Sequence, residues 1–364
     1  MTHAAKREGV RHLEALAQHA RPAGSVAERH ARTYASRELA ALGFRVREDP
    51  FTYSEFPGRY GTPVGGGILA LAVALAAGLA LRANTMLGMC VLVGGSVTTA
   101  LFARWMFGSA QQAMPLLRAS SVNLVATRGT EEPRVWLVAH LDSKSQPIPS
   151  AVRVAGVLTL LFALLGAYVA VALTLSGADV RTVWWGVLAA ALAGGVPVAA
   201  SVVGERSHGA VDNASGVASV LVAAARLRTD VACGVLLPSA EELGLAGVRA
   251  WVRGRAPAVA LNCDGVDDDG DLVIMFNAAA PVRIVDAVRA AAAVNVRVRR
   301  MPLGLLTDSS ALAKAGWSAV TVSHGSLATL RRIHTAADSL GNLKGRSIDD
   351  VGFILARAAE ALAQ

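Results

Sequence analysis

Seven side chains of this 364-residue chain could do metal and acid–base chemistry together. His140 and Asp142 follow the apolar run VWLVA, and Asp212 with Asn213 follows Gly209-Ala210-Val211 just before a helix-forming stretch. Glu241 and Glu242 follow GVLLPSA, Asp264 follows VALNC, and His334 lies in IHTAAD. Two imidazoles and three carboxylates, with one carboxylate to spare, suit a pair of zinc-like ions. Carboxylates bridge cations, and two metals ~3.5–4 Å apart polarise a carbonyl while activating a shared water. Adjacent acids at a strand end can divide the work, one holding metal and the other taking a proton. Singly, each motif has a plain reading: H-x-D as a surface turn, paired glutamates as a solvated helix start, D-N-x-S-G as an N-cap, a late histidine as structural. Their order and shared context make the case for chemistry.

Those residues need a scaffold that gathers strand ends. Residues 25–42 read as a helix with Ser25 as N-cap and Gly43 as its stop. Phe44–Tyr53 is extended, and Val122–Ala126 and Val135–Ala139 are β-rich runs separated by a glycine-containing turn. Further strands are expected at Gly234–Leu237, Val259–Asn262 and Ser318–Val322. Helices are expected at Ser215–Leu227, Leu245–Arg253, Val282–Val294 and Ile348–Ala363. Strands alternating with helices predict a largely parallel sheet with helices on both faces. Ligand sites in such sheets form outside the carboxyl ends of the strands, where all seven residues fall.

The charge distribution adds a second component. Only 17% of residues are charged and 53% are hydrophobic, which excludes a disordered chain. The deficit is local: uncharged windows of 22, 21, 25 and 23 residues lie between Arg59 and Arg82, Arg82 and Arg104, Arg153 and Asp179, and Arg181 and Glu205. Outside these 91 residues the remaining 273 carry all 62 charges, an ordinary density for a soluble domain. Each window is long enough for a helix to cross a bilayer, which takes roughly 20 residues, and Trp105, Trp184 and Trp185 sit near window ends. The windows pair into two hairpins, so all polar sequence lies on one side. Arg59, Arg104, Arg118, Lys144, Arg153 and Arg206 flank that side against Arg82 and Arg181 on the other, which places it in the cytoplasm. Residues 1–19 lack a secretory core and read as an amphipathic helix with Val10, Leu13, Leu16 and Ala17 on one stripe. Cys90, Cys233 and Cys263 are too few for a disulfide scaffold and suit a reduced compartment. The net charge of +8 comes from scattered arginines with only four lysines and no basic run. Nucleic acid is therefore excluded as a partner and anionic lipid favoured.

The stretches ARPAGSVAERHARTYASRELAALGF, SSVNLVATRGTEEPRVWLVAHLDS, GAVDNASGVASVL, SAEELGLAGVRAW, LNCDG and IHTAAD, in this order, cover nearly all the polar sequence. They resemble the co-catalytic zinc aminopeptidases, a family that includes bacterial leucyl aminopeptidases, aminopeptidase Y and the glutamate carboxypeptidase peptidase domain. The resemblance implies an α/β, three-layer zinc-peptidase fold with a mostly parallel mixed sheet, here interrupted by two transmembrane helical hairpins. It implies two zinc ions, with cobalt or manganese also suited to such ligands. Asp212 would bridge them, His140 and Asp264 would complete one site, and Glu242 and His334 the other. Glu241 would be the general base and Asp142 would accept the ring N–H of His140. The Asp212–Asn213 peptide bond would be cis.

The expected organisation is a peptidase domain in three pieces, 1–59, 105–152 and 206–364, with hairpins at 60–104 and 153–205. The expected function is a membrane-anchored aminopeptidase of a bacterial-type cytoplasmic membrane, acting on peptides with a free N-terminus. The second hairpin falls between His140 and Asp212, which suggests presentation of substrate near the bilayer. No residue stands out as the further donor facing the tetrahedral intermediate. His324 reads as loop-structural, Asp308 as an N-cap or supporting residue, His208 as a neighbour of the site, and Lys144 as a lipid-headgroup contact. The alternatives are a non-catalytic membrane scaffold and a one-metal aminoacyl cyclase or amidohydrolase on the same fold.

Overall fold

Runs of Val, Leu and Ile that read as strands in the sequence join one eight-stranded sheet in the computed structural model, which describes residues 8–106, 108, 110–129, 132–302 and 304–364. The strands are β1 (Arg45–Ser54), β2 (Arg118–Arg128), β3 (Val135–Val138), β4 (Cys233–Leu237), β5 (Val259–Val266), β6 (Asp271–Phe276), β7 (Val296–Arg300) and β8 (Ser318–Gly325). Their spatial order is β1-β2-β4-β3-β5-β8-β6-β7. The pairs β3/β4, β3/β5, β5/β8 and β6/β7 are parallel, whereas β2/β4 and β6/β8 are antiparallel. The sheet is therefore mixed, with a parallel centre made of β4, β3, β5 and β8.

Alternation along the strands divides the core in two. Leu137 and Ala139 face a cluster with Leu13, Leu39, Val220, Leu221, Val351 and Leu355, from the helices Glu8–Leu16, Val26–Ala41, Gly216–Arg226 and Ile348–Ala363. Trp136 and Val138 face the opposite cluster, with Val248, Trp251, Leu312 and Trp317. Helices thus cover both faces, giving three layers. Ser25 caps the Val26–Ala41 helix by accepting the Glu28 N–H, and Gly43 leaves it at a φ of 80°. Helix Glu8–Leu16 buries Leu13 and Leu16 as the stripe predicts, with Ala17 just beyond its end also buried and Val10 half-buried. The first seven residues of that segment lie outside the described residues.

Elements not expected from the sequence include β6, β7 and the helix Leu327–Arg332. β7 reads VRVRR, a period-two pattern whose arginines are exposed, so charge masked its strand character. β2 and β3, close in sequence, are separated in space by β4, because β4 pairs with both.

The chain divides into two compact units. One takes the residues up to Tyr53, Ala119–Ser145 and Glu205–Gln364, and the other takes Ser54–Arg118 and Gln146–Gly204. The second contains four helices, Phe56–Leu81, Thr85–Met106, Ser150–Leu175 and Arg181–Ala199. Their mean hydropathies of 2.3, 1.8, 2.4 and 1.6 make all four long and apolar enough to cross a membrane. Small residues let them approach. A Cβ at Gly194 would lie 2.7 Å from the Gly156 carbonyl oxygen, and one at Gly156 would lie 2.9 Å from the Gly194 oxygen. Such backbone-to-backbone crossings are a hallmark of helices packed without a hydrophobic driving force. Phe162, Leu165 and Leu101 meanwhile stay exposed on the bundle's outside.

Gly194→Leu should force this crossing apart and cost about 1–3 kcal/mol, read as a lower melting temperature in detergent. Gly186→Leu, where a Cβ meets nothing within 4 Å, is the control and should melt like the parent.

Candidate metal centre

Each candidate residue leaves the scaffold at a strand end or a bend. His140 and Asp142 follow β3, where Ala139 donates to the Leu236 carbonyl at 3.2 Å and Leu141 to the Pro238 carbonyl at 2.8 Å. β3 and β4 therefore deliver the HLD and EE segments side by side. Asp264 lies at the register shift between Cys263 and Val266 of β5, where the bulge re-aims its side chain. Asp212 stands in a kinked turn after Gly209, whose φ is 58° and whose added Cβ would collide with the Asp212 carbonyl oxygen. The Asp212–Asn213 bond is cis, as the resemblance implied. Asn213, fully buried, anchors this turn: its Nδ2 donates to the Cys263 carbonyl, and its Oδ1 accepts from Gly216 and Gly265. His334 follows the Leu327–Arg332 helix, which is held by Asp267 accepting from Thr329 Oγ1 at 2.6 Å and Arg332 Nη2 at 2.5 Å.

The residues converge into two groups. His140, Glu241 and Asp264 form one, and Asp212, Glu242 and His334 the other, with candidate ligand atoms within 4.8 Å of one another in each. Asp212 serves both: Oδ1 lies 3.2 Å from His140 Nε2 and Oδ2 lies 2.9 Å from His334 Nε2. Asp264 Oδ1 is 3.7 Å from His140 Nε2, and Glu242 Oε1 is 3.4 Å from His334 Nε2.

The His140 ring N–H goes to the main-chain carbonyl of Asp142, with Nδ1 at 3.0 Å. Its carboxylate, the acceptor expected from the sequence, is 3.6 Å away and instead receives the amides of Glu241 and Glu242, both at 3.1 Å. A carbonyl can only accept, so Nδ1 carries a proton and Nε2 is left to face Asp212 and Asp264. Without a cation Nε2 must hold a second proton to meet these carboxylates, and Glu242 Oε1 is buried without a hydrogen-bond partner. A cation in each group resolves both conflicts, so these residues fit divalent metal.

The electrostatics say the same. Burial opposes a charged His140, but Glu241, Asp142, Asp212 and Asp264 outweigh it and hold its pKa well above the imidazole range. Burial, reinforced by Glu242, Asp308 and Asp264, pushes Glu241 well above the carboxylate range. Burial resists ionisation of Glu242, yet Lys144 draws its pKa down to about 2. Asp308 is fully buried, with neither carboxylate oxygen hydrogen-bonded, and burial lifts it well above the usual value.

Lys144 is not a headgroup contact: its Nζ lies 2.5 Å from Glu242 Oε2, where paired charge offsets the cost of burial. Thr307, not Asp308, occupies the N-cap of the helix Asp308–Lys314. His324 lies in β8 rather than in a loop and donates to the Asp267 carbonyl at 2.7 Å, while His208 offers its own carbonyl to Arg21. Two contributors were missed in the sequence. Asp338, within IHTAAD, accepts the amides of Val211 at 2.7 Å and Asp212 at 3.1 Å. Arg21, fully buried, donates to the carbonyls of Leu16, Leu141, His208 and Gly209. Both lie inside stretches that carry the resemblance, Asp338 in IHTAAD and Arg21 in ARPAGSVAERHARTYASRELAALGF, and that was the one available signal.

The family model described as Peptidase family M28 matches residues 123–359. No curated protein matches the sequence. Among solved structures, an aminopeptidase from Aneurinibacillus sp. strain AM-1 is similar at a TM-score of 0.58 and 16% identity, over 99% of this chain and 94% of that one. BSAP, a zinc aminopeptidase from Bacillus subtilis, aligns at a TM-score of 0.58 and 13% identity, covering 99% and 95%. A Fimbriiglobus ruber glutaminyl cyclase aligns at 0.54 and 14%, covering 98% and 95%.

Asp338→Asn replaces one amide acceptor with an N–H donor facing the Asp212 turn. It should cost about 1–3 kcal/mol and weaken divalent-metal affinity about 10–100-fold. Melting with and without zinc, and zinc titration, check this; unchanged affinity would remove Asp338 from the support of Asp212.

Proposed function

The chain belongs to peptidase family M28, and from that premise we propose that it is a membrane-anchored aminopeptidase using two zinc ions. The observation that carries this reading is Asp212, whose two oxygens each face the Nε2 of a different imidazole beside the Glu241 carboxylate. His140, Asp212 and Asp264 would hold one ion, and Asp212, Glu242 and His334 the other. When bound, the ions polarise the scissile carbonyl and make the attacking water acidic. Glu241 takes the proton from that water and returns it to the leaving amine. Its elevated pKa brings it closer to neutral pH, where a general base works best. Asp142 fixes the Glu241 and Glu242 amides, and Asp338 fixes the Asp212 turn, so the base and the bridging carboxylate keep their spacing. The excess of carboxylates suits a substrate that brings a free α-ammonium group.

The four apolar helices support anchoring in the bilayer, and the arginines flanking them support a cytoplasmic peptidase unit. The protein should stay with membranes through alkaline carbonate washing. In a cysteine-free background, Ala178→Cys should react with an impermeant maleimide from outside, and Lys344→Cys only after permeabilisation. The reverse labelling would invert the orientation.

A second reading, aminoacyl cyclisation, is favoured by the glutaminyl cyclases among the fold neighbours. An aminoacyl-nitroanilide panel and an N-terminal glutamine peptide separate them: ammonia release without peptide cleavage marks the cyclase. Glu241→Gln should lower kcat at least about 100-fold while zinc content is retained. Wild-type activity should fall on the acid side as Glu241 takes up a proton, along a limb above the usual carboxylate range. Chelator should abolish activity and zinc restore it.

A further inference from the structure

Apart from Lys144 and Glu241, the two ligand groups are alike: each has an imidazole, a carboxylate of its own and a share of Asp212. Lys144 breaks this balance. Its main chain is pinned on both sides, since the Ser143 N–H donates to the Arg21 carbonyl at 2.9 Å and Ser145 Oγ accepts the Arg206 N–H at 2.9 Å. Its side chain is 16% exposed, with Nζ 2.5 Å from Glu242 Oε2. One oxygen of Glu242 is therefore committed to an ammonium, leaving Oε1 alone to face His334. On the other side, Glu241 adds its carboxylate to the His140 and Asp264 group.

We propose that Lys144 is a built-in cation that makes the two metal sites unequal, with the His140–Asp212–Asp264 site filling first and the Asp212–Glu242–His334 site filling weakly. This rests on the two-metal reading above and specifies its order. A divalent ion entering the second site meets a fixed positive charge across the Glu242 carboxylate and one ligand oxygen instead of two. In the first site it meets two carboxylates besides Asp212 and no fixed cation.

Zinc titration of the full-length protein in detergent, by calorimetry and by competition with a fluorescent chelator, tests this, with metal content measured independently. The wild type should bind zinc in two steps separated at least tenfold. Lys144→Met and Lys144→Gln should tighten the second step at least tenfold, about 1.4 kcal/mol, and leave the first within about threefold. Lys144→Arg, which keeps the charge, should keep the separation; a merely structural lysine would give no such split between charge-retaining and neutral variants. Two equal steps in the wild type overturn the inference alone, as does an unchanged separation in both neutral variants. A single zinc in wild type and neutral variants alike also overturns it. A wild type that binds no zinc overturns the metallopeptidase reading itself, and this inference with it.

Discussion

The structure is organised around a repulsion. Asp142, Asp212, Glu241, Glu242, Asp264, Asp308 and Asp338 crowd one end of a sheet, and burial raises the pKa of several of them. Two unit charges 4 Å apart interact by about 4 kcal/mol at an effective dielectric of 20, so no packing of the apolar layers makes this cluster comfortable. Every stabilising device nearby answers that problem. Asp142 and Asp338 spread their charge over two amides each. Arg21, fully buried, has its pKa drawn down to about 10 by burial while Asp338, Asp142, Glu28 and Asp212 oppose that fall. Lys144 neutralises Glu242. What remains unanswered is the space between the imidazoles and the carboxylates, and that residue of negative charge is the site's affinity for cations.

The apolar scaffold makes this tolerable by fixing the carboxylates to separate elements. β3, β4, β5 and the turn before Gly216–Arg226 each contribute one short segment, and each segment's backbone is paired before its side chain is placed. The two helical excursions respect this arrangement. The first leaves after Tyr53 and the second after Ser145, both outside the strands that lead into the candidate ligands. Each is closed at its base. Glu55 donates to the Leu117 carbonyl at 3.0 Å at the neck of the first, and Arg206 to Ser145 Oγ at 2.9 Å at the neck of the second. A loop whose ends are tied in this way adds little closure entropy to the sheet pairings that span it. Pairings such as Leu124 with Leu237, or Val138 with Asn262, thus survive long insertions in the chain.

What the sequence revealed follows the same division. The candidate ligands at strand ends stood out because they sit beside apolar runs, and a local pattern predicts a local structure. The helix caps at Ser25 and Gly43 were legible for the same reason. β7 was hidden because its alternate positions are arginines, and its strand character comes from pairing with β6, a tertiary fact. Lys144 was misread because a cation near a hydrophobic window looks like an interfacial residue. Its partner lies 98 positions away, at Glu242. Arg21 was invisible for the same reason, since its acceptors are carbonyls, which every residue has.

The shared Asp212 also bears on which chemistry the site favours. In cyclisation the substrate's own amine is the nucleophile, so one polarising centre and one base suffice. Hydrolysis must place a water as well as a carbonyl, and it needs the base beside both. Here the carboxylate of Glu241 belongs with His140 and Asp264, while Asp212 extends from that group to His334. Under the two-ion reading proposed above, Asp212 would serve both groups, whereas a centre holding a single ion would draw on only one of its sides. Its two-sided placement, held by five hydrogen bonds to Asn213 and Asp338 on either side of the turn, is the arrangement on which the proposed attack by a solvent nucleophile relies.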